Sequence, residues 1–474
     1  MSEEKSSSRE IISTKTTIFY SFAGIADTMS YQMFTFYIFN FYYTVIIGDI
    51  LLVSLGYVLW SVWNALNDPL LGALSDRSTS KWGRRRPYVI GGIIPTCIII
   101  ILLWSAPITG SPVIQFVYFI IIINLFDTFY TAYSLNQTSL FPEMYQDLDE
   151  RAKANNFVQI FNIIGLLFAA LLPGFFIEEL IPYTADPVIR SNIQIQFIGA
   201  SFIMAALAAI FASIFIIFGL KERKEYSKDP EKAPSFLKSV KLSFKNKAFK
   251  WYVLTNFAQW YVFGLFPIIN PYFLGYVIGE EDALMQQLLL AIIFISAIIF
   301  MIIWRNFFAR KGAKKAHMTA LATLIITLIP TLFIWEFIGA IITYILIGFG
   351  FAGVMFGRDV VMSAIIDYDE IETGLRREGA YYGVNALIIR FSTVAVALSL
   401  AIVFPTVGWA TYDPATVTDL TLLGIRILTC VFPAVALALG ILTLRKFPIT
   451  KEKYEEIKEK LVKIHEDKLR QITE

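Results

Sequence analysis

The sequence predicts an all-α membrane protein with twelve transmembrane helices, arranged as two pseudo-symmetric halves of six. Three observations lead to this fold class. Of the 474 residues, 56% are hydrophobic and only 16% are charged, whereas soluble domains carry about 25% charged residues. Apolar stretches of about 20 residues, the length that crosses a bilayer, recur along the whole chain. Lysine and arginine are concentrated in alternate connections between these stretches.

Each half of the chain contains six of these apolar stretches. Several are longer than the bilayer requires, so we expect tilted helices or extensions into the cytoplasm. The predicted spans are 17–46, 49–75, 87–107, 112–141, 152–178, 194–220, 249–278, 283–305, 316–337, 339–365, 380–405 and 421–444.

The distribution of basic residues predicts the orientation. Of the 40 lysines and arginines, 36 fall on the side of the N-terminus, three fall within spans, and only Arg190 falls on the other side. Cytoplasmic connections are enriched in these residues. A multi-pass protein of the plasma membrane with both termini in the cytoplasm is therefore predicted. The polar segment before the first span lacks the features of a cleaved signal peptide.

A basic, polar segment between the sixth and seventh spans has the composition of a solvated linker. The motif Gly72–Arg77 followed by a basic cluster recurs in weaker form as Ala309–Lys315, at the same place in the second half. Duplicated halves are typical of transporters that rock around a central site. The expected organisation is a first half at 1–220, a linker at 221–248, a second half at 249–446 and a cytoplasmic tail at 447–474.

The tail after Pro448 is a predicted charged helix. Its apolar residues Ile457, Leu461, Ile464 and Ile472 fall roughly on one face. Because the helix carries charges of both signs, we expect it to be solvated.

No motif indicates an enzyme. Cys97 and Cys430 lie inside apolar runs and do not form a disulfide framework. The segment GFGFAG at 348–353 matches a dinucleotide-binding pattern, but no strand precedes it. The sequence shows no metal-ligand cluster and no hydrolytic triad. We expect no cofactor, apart from a transported Na⁺ or H⁺.

Three charged residues are predicted near the middle of the membrane, where charges are costly and usually functional. At a rise of 1.5 Å per residue, Asp27 of helix 1, Asp127 of helix 4 and Arg390 of helix 11 reach a similar depth. An arginine between two aspartates would form a compensated cluster around a polar cavity. Asp68 of helix 2 and the pair Arg358–Asp359 of helix 10 lie nearer the cytoplasm.

Polar residues at helical spacing accompany these charges on helices 2, 4, 5 and 11. Faces of this kind do not point at lipid, and they suit a water-filled cavity for a hydroxyl-rich solute such as a sugar. Polar contacts that tie helices together are the alternative interpretation. The predicted solute-binding residues are Asp27, Asp127, Tyr130, Ser134, Gln159, Asn385 and Arg390.

Two long motifs resemble one family of transporters. The segment NDPLLGALSDRSTSKWGRRRP at 67–87 contains the helix 2–3 signature of the major facilitator superfamily, and it is similar to that of the glycoside–pentoside–hexuronide:cation symporters, the relatives of melibiose permease. The segment DYDEIETGLRREG at 367–379 resembles this family's loop between helices 10 and 11. The resemblance implies a major facilitator fold and the coupled uptake of a sugar.

The resemblance also implies a cation site. In this family two acidic residues one turn apart on helix 2 bind the cation, and here they correspond to Asn64 and Asp68. The helix 1 acid corresponds to Asp27. The expected cation-coupling residues are therefore Asp68, Asn64 and Asp27, and a proton is favoured over sodium because Asn64 replaces one acid.

Other family residues correspond only in part. The helix 11 lysine corresponds to Arg390, which keeps its charge. The sugar-binding acid of helix 4 corresponds to Ser134, and the arginine of helix 5 corresponds to Gln159. A galactoside substrate is not implied for this reason.

The signature loops are expected to control gating. Asp76 and the arginines 84–86 are expected to pair across the two halves when the cytoplasmic side closes, with Glu143 among the partners. The full set of expected gating residues is Gly72, Asp76, Arg77, Gly83, Arg84, Arg85, Arg86, Asp367, Glu370 and Arg376.

The predicted function is cation-coupled symport, by proton or sodium, of a sugar or glycoside through alternating access. The alternatives are an exporter or carrier of amphiphilic solutes on the same fold, and a sensor that does not transport. The expected partners are a small-molecule solute, a coupling cation and the bilayer. The net charge of +2 is too small to suggest a nucleic-acid partner. The transporter is expected to act as a monomer.

Overall fold

The computed structural model describes residues 12–473 except 77, 79, 146–147, 223–242 and 375–377. The regular secondary structure of these residues is helical, apart from one isolated β-bridge between Asp49 and Thr411. The helices are α1 (Thr14–Asn40), α2 (Ile50–Asp76), α3 (Arg86–Leu102), α4 (Pro112–Met144), α5 (Leu148–Leu171), α6 (Pro187–Ile214), α7 (Lys247–Tyr272), α8 (Ala283–Lys311), α9 (Ala313–Leu328), α10 (Phe337–Thr373), α11 (Glu378–Thr406), α12 (Asp419–Arg445) and α13 (Lys451–Thr473).

The twelve predicted spans correspond to α1–α12. Ten of these helices are long and apolar enough to cross a membrane by length and composition, and α3 is a shorter apolar helix. The remaining span is α1, which begins at a Ser13 cap whose side chain accepts a hydrogen bond from the Thr16 amide. The face of the bundle that carries α13 and the start of α1 is called the terminal face below, and the other is called the opposite face.

The two halves repeat the same helix pairings. In the first half α1 packs on α5 and α6, α3 packs on α4 and α6, and α2 packs on α4. Adding six to each number gives the pairings of the second half: α7 with α11 and α12, α9 with α10 and α12, and α8 with α10. Between the halves, α2 packs on α11 and α5 packs on α8. These two contacts are equivalent, because α8 is the counterpart of α2 and α11 is the counterpart of α5. This is the pseudo-symmetry that the sequence predicts.

The first helix of each half ends in the same way. A π-helical turn continues α1 through Phe41–Ile47, and another continues α7 through Phe273–Ile278. Each turn stops at a glycine in the left-handed region, Gly48 with φ +78° and Gly279 with φ +81°. Glycine adopts this conformation without the steric cost that a Cβ brings. The repeat therefore extends to the local backbone.

Several helix boundaries differ from the sequence prediction, and two of these differences have a clear cause or consequence. Helix α6 begins at Pro187, seven residues before the predicted span, because Asp186 caps it and proline suits its first turn. Helix α10 continues to Thr373, so that Asp367 and Glu370 lie on a helix and not in a loop. Hydropathy marks only the apolar part of a helix, and α10 extends beyond it.

The tail helix α13 is not fully solvated, contrary to the expectation. Its residues Ile457 and Leu461 are buried, and the helix packs against α10. The hydroxyl of Tyr454 donates to a carboxylate oxygen of Asp367 at 3.0 Å. The apolar face of the tail was visible in the sequence, but its packing partner was not.

Candidate solute and cation site

A cavity of about 540 Å³ lies between the two halves. Helices α1, α2 and α4 of the first half contribute polar and aromatic side chains, and α11 adds Arg390. Helices α7, α8 and α10 line the rest mainly with apolar side chains, including Phe263, Phe294 and Phe351. The cavity is therefore amphipathic, with a polar wall facing an apolar one.

An ion pair joins the halves at the polar wall. The Arg390 guanidinium donates from Nη2 to Asp68 Oδ2 at 2.6 Å, although 322 residues separate the two along the chain. The Thr131 hydroxyl donates to the other carboxylate oxygen of Asp68 at 3.3 Å. Since α2 belongs to the first half and α11 to the second, this pair is sensitive to any movement of one half against the other.

Asp127 lies beside this pair and is only 1% exposed. The side-chain amide of Asn67 donates to Asp127 Oδ2 at 3.0 Å and to its backbone carbonyl at 3.1 Å. Asn67 and Asp68 are neighbours on α2, so one turn of this helix holds both carboxylates. We call Asn67, Asp68, Asp127, Thr131 and Arg390 the central cluster.

Aromatic rings border the central cluster. The Tyr31 ring stacks on Tyr130 with centroids 4.9 Å apart, and Tyr130 stacks on Phe126. On the other half the Arg358 guanidinium lies 5.2 Å from the centre of the Trp260 ring and pairs with Asp359 at 3.1 Å. Aromatic faces beside charged hydrogen-bonding groups match a solute that has both apolar faces and polar edges.

The structure places four of the predicted solute-binding residues on the cavity wall: Asp127, Tyr130, Ser134 and Arg390. The predicted cation-coupling residues Asp68 and Asn64 line it too. Tyr31 and Trp260 also line it, and neither was predicted. Tyr31 lies one helical turn beyond Asp27, a signal the sequence offered, whereas Trp260 lies in an apolar run without such a signal.

Three predicted residues do not line this cavity. Asp27 lies behind it, next to Tyr130 and Ser134, and its Oδ1 is buried without a hydrogen-bond partner in the described part of the chain. Gln159 is exposed on α5. Asn385 accepts a hydrogen bond from Asn256 of α7. Helical spacing identified the polar faces of α5 and α11 but not which neighbours they meet.

The opposite face is closed by hydrogen bonds between the halves, most of which end on backbone carbonyls. Tyr43 donates to the carbonyl of Trp409 at 2.5 Å, and Asn40 donates to that of Ile268 at 2.8 Å. Tyr412 donates to the carbonyl of Pro182 at 2.5 Å. The bridge between Asp49 and Thr411 adds main-chain bonds. We call these contacts the outer seal.

The signature loop lies at the terminal face. Arg84 and Arg85 pair with Glu143 of α4 at 2.6 and 2.8 Å. Glu143 belongs to the same half as the arginines, so the prediction that these groups pair across the halves is wrong for Glu143. Glu143 follows the fourth predicted span and so already fell within the first half at 1–220, which the inference overlooked.

A second carboxylate binds this loop. Glu222, which follows α6, accepts from the backbone amides of Arg84 at 2.5 Å and Arg85 at 2.9 Å. A Cβ at Gly83 would lie 2.0 Å from the Glu222 carboxylate, and Gly83 has φ +105°. Glycine is therefore required here both by its conformation and by the close approach of the carboxylate.

The other predicted gating residues are distributed along the terminal face. Arg86 is exposed, and a Cβ added at Gly72 would lie 3.5 Å from Leu135, an ordinary contact distance. Asp367 binds the tail through Tyr454, and Glu370 is buried on α10. Arg77, Arg376 and the side chain of Asp76 lie outside the described residues.

The sequence matches known transporters along most of its length. The family described as MFS/sugar transport protein matches residues 19–451. An uncharacterised symporter of Synechocystis sp. is 25% identical, with 87% of this chain and 89% of that protein covered. A lactose permease of Lactobacillus delbrueckii subsp. bulgaricus is 24% identical over 84% of this chain and 64% of its own length.

Two further comparisons bear on solute and fold. A sodium-dependent lysophosphatidylcholine symporter of Danio rerio is 21% identical, with 83% of this chain and 78% of that protein covered. The crystal structure of a D-xylose-proton symporter aligns with a TM-score of 0.64 at 14% identity, covering 92% of this chain and 97% of that one. At that identity the structural match supports the fold alone.

Proposed function

Because this chain belongs to the MFS/sugar transport protein family, we propose that it couples the uptake of a sugar or glycoside to the entry of a cation, by alternating access. The observation that supports this most directly is the Asp68–Arg390 pair. It joins the two halves at the wall of a central cavity, where a change in the cavity contents acts on the contact between the halves.

The cavity chemistry favours a solute with hydroxyl groups. Asn64, Thr131 and Ser134 offer neutral hydrogen-bonding groups on the polar wall, next to the stacked rings of Tyr31 and Tyr130. A sugar ring presents hydroxyls at its edge and C–H groups on its faces, so that one solute can use both. The lactose permease similarity agrees with this choice.

Orientation and conformation follow from the same proposal. The terminal face is placed in the cytoplasm of a plasma-membrane protein, as the positive charges indicate. The outer seal then closes the external side. The cavity wall continues to Thr138 and Arg358, which lie nearer the terminal face on α4 and α10. The structure is accordingly assigned to an inward-facing state of a transporter that acts as a monomer.

Uptake by proteoliposomes tests the proposal. Purified protein is given a panel of labelled mono- and disaccharides under an imposed proton gradient or an imposed sodium gradient. Accumulation of one sugar under one gradient is the expected result. Absence of accumulation of every sugar under both gradients would contradict the proposal.

An amphiphilic solute is the second candidate, and one observation favours it. The wall formed by Phe263, Phe294 and Phe351 is apolar and continuous with the polar wall, as a solute with a headgroup and a chain requires. One relative is named for lysophosphatidylcholine transport. Adding a labelled lysophospholipid and an alkyl glucoside to the same panel separates this candidate from the first.

A further inference from the structure

The central cluster contains two carboxylates and one guanidinium. Asp68 and Asp127 come from α2 and α4, and Arg390 comes from α11. If both carboxylates were ionised, the three groups would carry a net charge of −1 at membrane depth, where an uncompensated charge is costly. One bound proton makes the cluster neutral. The composition of the cluster therefore favours the binding of one cation.

The surroundings of Asp68 stabilise an ionised carboxylate, whereas those of Asp127 stabilise a neutral carboxylic acid. Asp68 accepts a charge-assisted hydrogen bond from Arg390 at 2.6 Å, and its side chain is 31% exposed. Asp127 is 1% exposed, and its side-chain partner is the neutral amide of Asn67. Burial without a charged partner disfavours an ionised carboxylate. The neutral acid avoids this cost at Asp127, whereas Asp68 is suited to remain ionised.

We propose that Asp127 carries the transported proton, and that the Asp68–Arg390 ion pair controls its release. This inference rests on the proposed function and identifies the coupling ion and its binding group. Asp127 also lines the cavity, so that its proton has a path to water there.

The release step follows from a movement of Arg390. Its Nε is buried and has no hydrogen-bond partner in the described structure. This N–H group is therefore available to donate to a further acceptor. When the halves move and Arg390 turns from Asp68 towards Asp127, its positive charge stabilises the Asp127 carboxylate. The O–H bond of the acid then breaks, and the proton passes to a water molecule of the cavity.

Three titratable groups from neighbouring helices face Asp127. They are Asp68 of α2, Arg390 of α11 and Tyr31 of α1. A tyrosine is uncharged at neutral pH, so the charge balance depends on the two carboxylates and the guanidinium.

The test uses the full-length protein in lipid vesicles, with the proton itself as the probe. Infrared spectroscopy detects the carbonyl stretch of a neutral carboxylic acid and its shift in heavy water. We expect this band in the wild type. It should be lost in Asp127→Asn, and also in Asp68→Asn, because Arg390 is then free to pair with Asp127.

Two controls are available. Asp419→Asn changes an exposed carboxylate at the start of α12 and should leave the band unchanged. Asp27→Asn removes another carboxyl of the first half, one that does not line the cavity, and should leave the Asp127 contribution intact. If Asp127→Asn does not fold, Asp127→Glu decides, because an acid retained there should move the band, whereas an unchanged band places the proton elsewhere.

Three results would overturn the proposal. A band that persists at full intensity in Asp127→Asn assigns the proton to another group. A band that persists in Asp68→Asn removes the ion pair from its release. A band that disappears on adding sodium chloride at constant pH shows that sodium is bound instead. None of these measurements needs a solute, so they remain informative even if no sugar is accumulated.

Discussion

The two faces of the bundle are held together by different chemistry. At the outer seal, hydroxyl and amide groups of one half bond mainly to backbone carbonyls of the other, as Tyr43 does with Trp409. At the terminal face, Arg84 and Arg85 of the signature loop bond to Glu143 of the same half. The seal therefore joins the halves by neutral hydrogen bonds worth about 1 kcal/mol each, which a moving transporter can break and remake.

The central cluster lies between these two faces, and there the Asp68–Arg390 ion pair joins the halves. A seal of weak bonds sets no strong preference between conformations, so that a change at the cluster can shift the population. Such a shift requires a ligand that binds the two states differently. Substitutions at the cluster should consequently have larger effects than substitutions at either face.

The largest effect is expected from Arg390→Ala. Removing one partner of a charge-assisted bond costs about 1.5–3 kcal/mol, and Asp68 is left without its counter-charge. We expect accumulation of the transported solute to fall roughly 10- to 100-fold, as measured in proteoliposomes under the coupling gradient. Arg390→Lys is the control because it keeps the charge, and equal losses in both variants would show that charge is not what matters.

The next effect concerns the outer seal. The Tyr412 hydroxyl bonds to both the Pro182 carbonyl and the Tyr276 hydroxyl. Tyr412→Phe should therefore raise the population open on the opposite face roughly fivefold, from the loss of about 1 kcal/mol. Distances between spin labels at Thr109 and Thr416, both exposed on that face, report this population.

Tyr118→Phe is the matched control for the seal. Its hydroxyl donates to the Leu102 carbonyl of the same half at 2.7 Å, so the distance between the labels should not change. A shift of equal size in both variants would mean that the seal bonds do not set the balance between conformations.

A smaller effect on transport is expected from Glu143→Gln. The carboxylate binds Arg84 and Arg85 within the first half, so its loss should lower the stability of the protein by about 1–3 kcal/mol. A thermal melt in detergent measures this loss. The distance between the labels on the opposite face should remain that of the wild type, and a changed distance would indicate that this pair does act between the halves.

The sequence predicted the helices of the bundle well because hydropathy is a local property. Each apolar run is its own evidence for a helix. Part of the central cluster could be predicted for a related reason, since charged residues within apolar spans are easily recognised in a sequence. Asp127 and Arg390 were therefore expected near one another.

The side-chain pairings between helices that are distant in sequence could not be predicted in this way. The partner of Arg390 is Asp68, which was expected nearer the cytoplasm and in another role. Glu222 was not singled out, because nothing in a polar linker distinguishes one glutamate that caps a helix from its neighbours. Depth along a helix follows from counting residues, whereas rotation and neighbours depend on packing.

The smallest effect is expected from acidic groups that face each other across the outer seal. Burial, together with the nearby Glu281 and Glu178, raises the pKa of Glu179. Glu179 belongs to the first half and Glu281 to the second.

A carboxyl group whose pKa is raised in the closed state stabilises that state while it is protonated, and this contribution is lost as the pH rises through the raised pKa. Opening of the opposite face should thus increase with pH above the ordinary range of glutamate, by roughly twofold because the groups are near the surface. Glu179→Gln should abolish this part of the pH dependence of the distance between the labels at Thr109 and Thr416. Glu336→Gln, which changes an exposed carboxylate just before α10, should retain it. An unchanged pH profile in Glu179→Gln would show that repulsion between these carboxylates does not contribute to opening, and the seal would then depend on its hydrogen bonds alone.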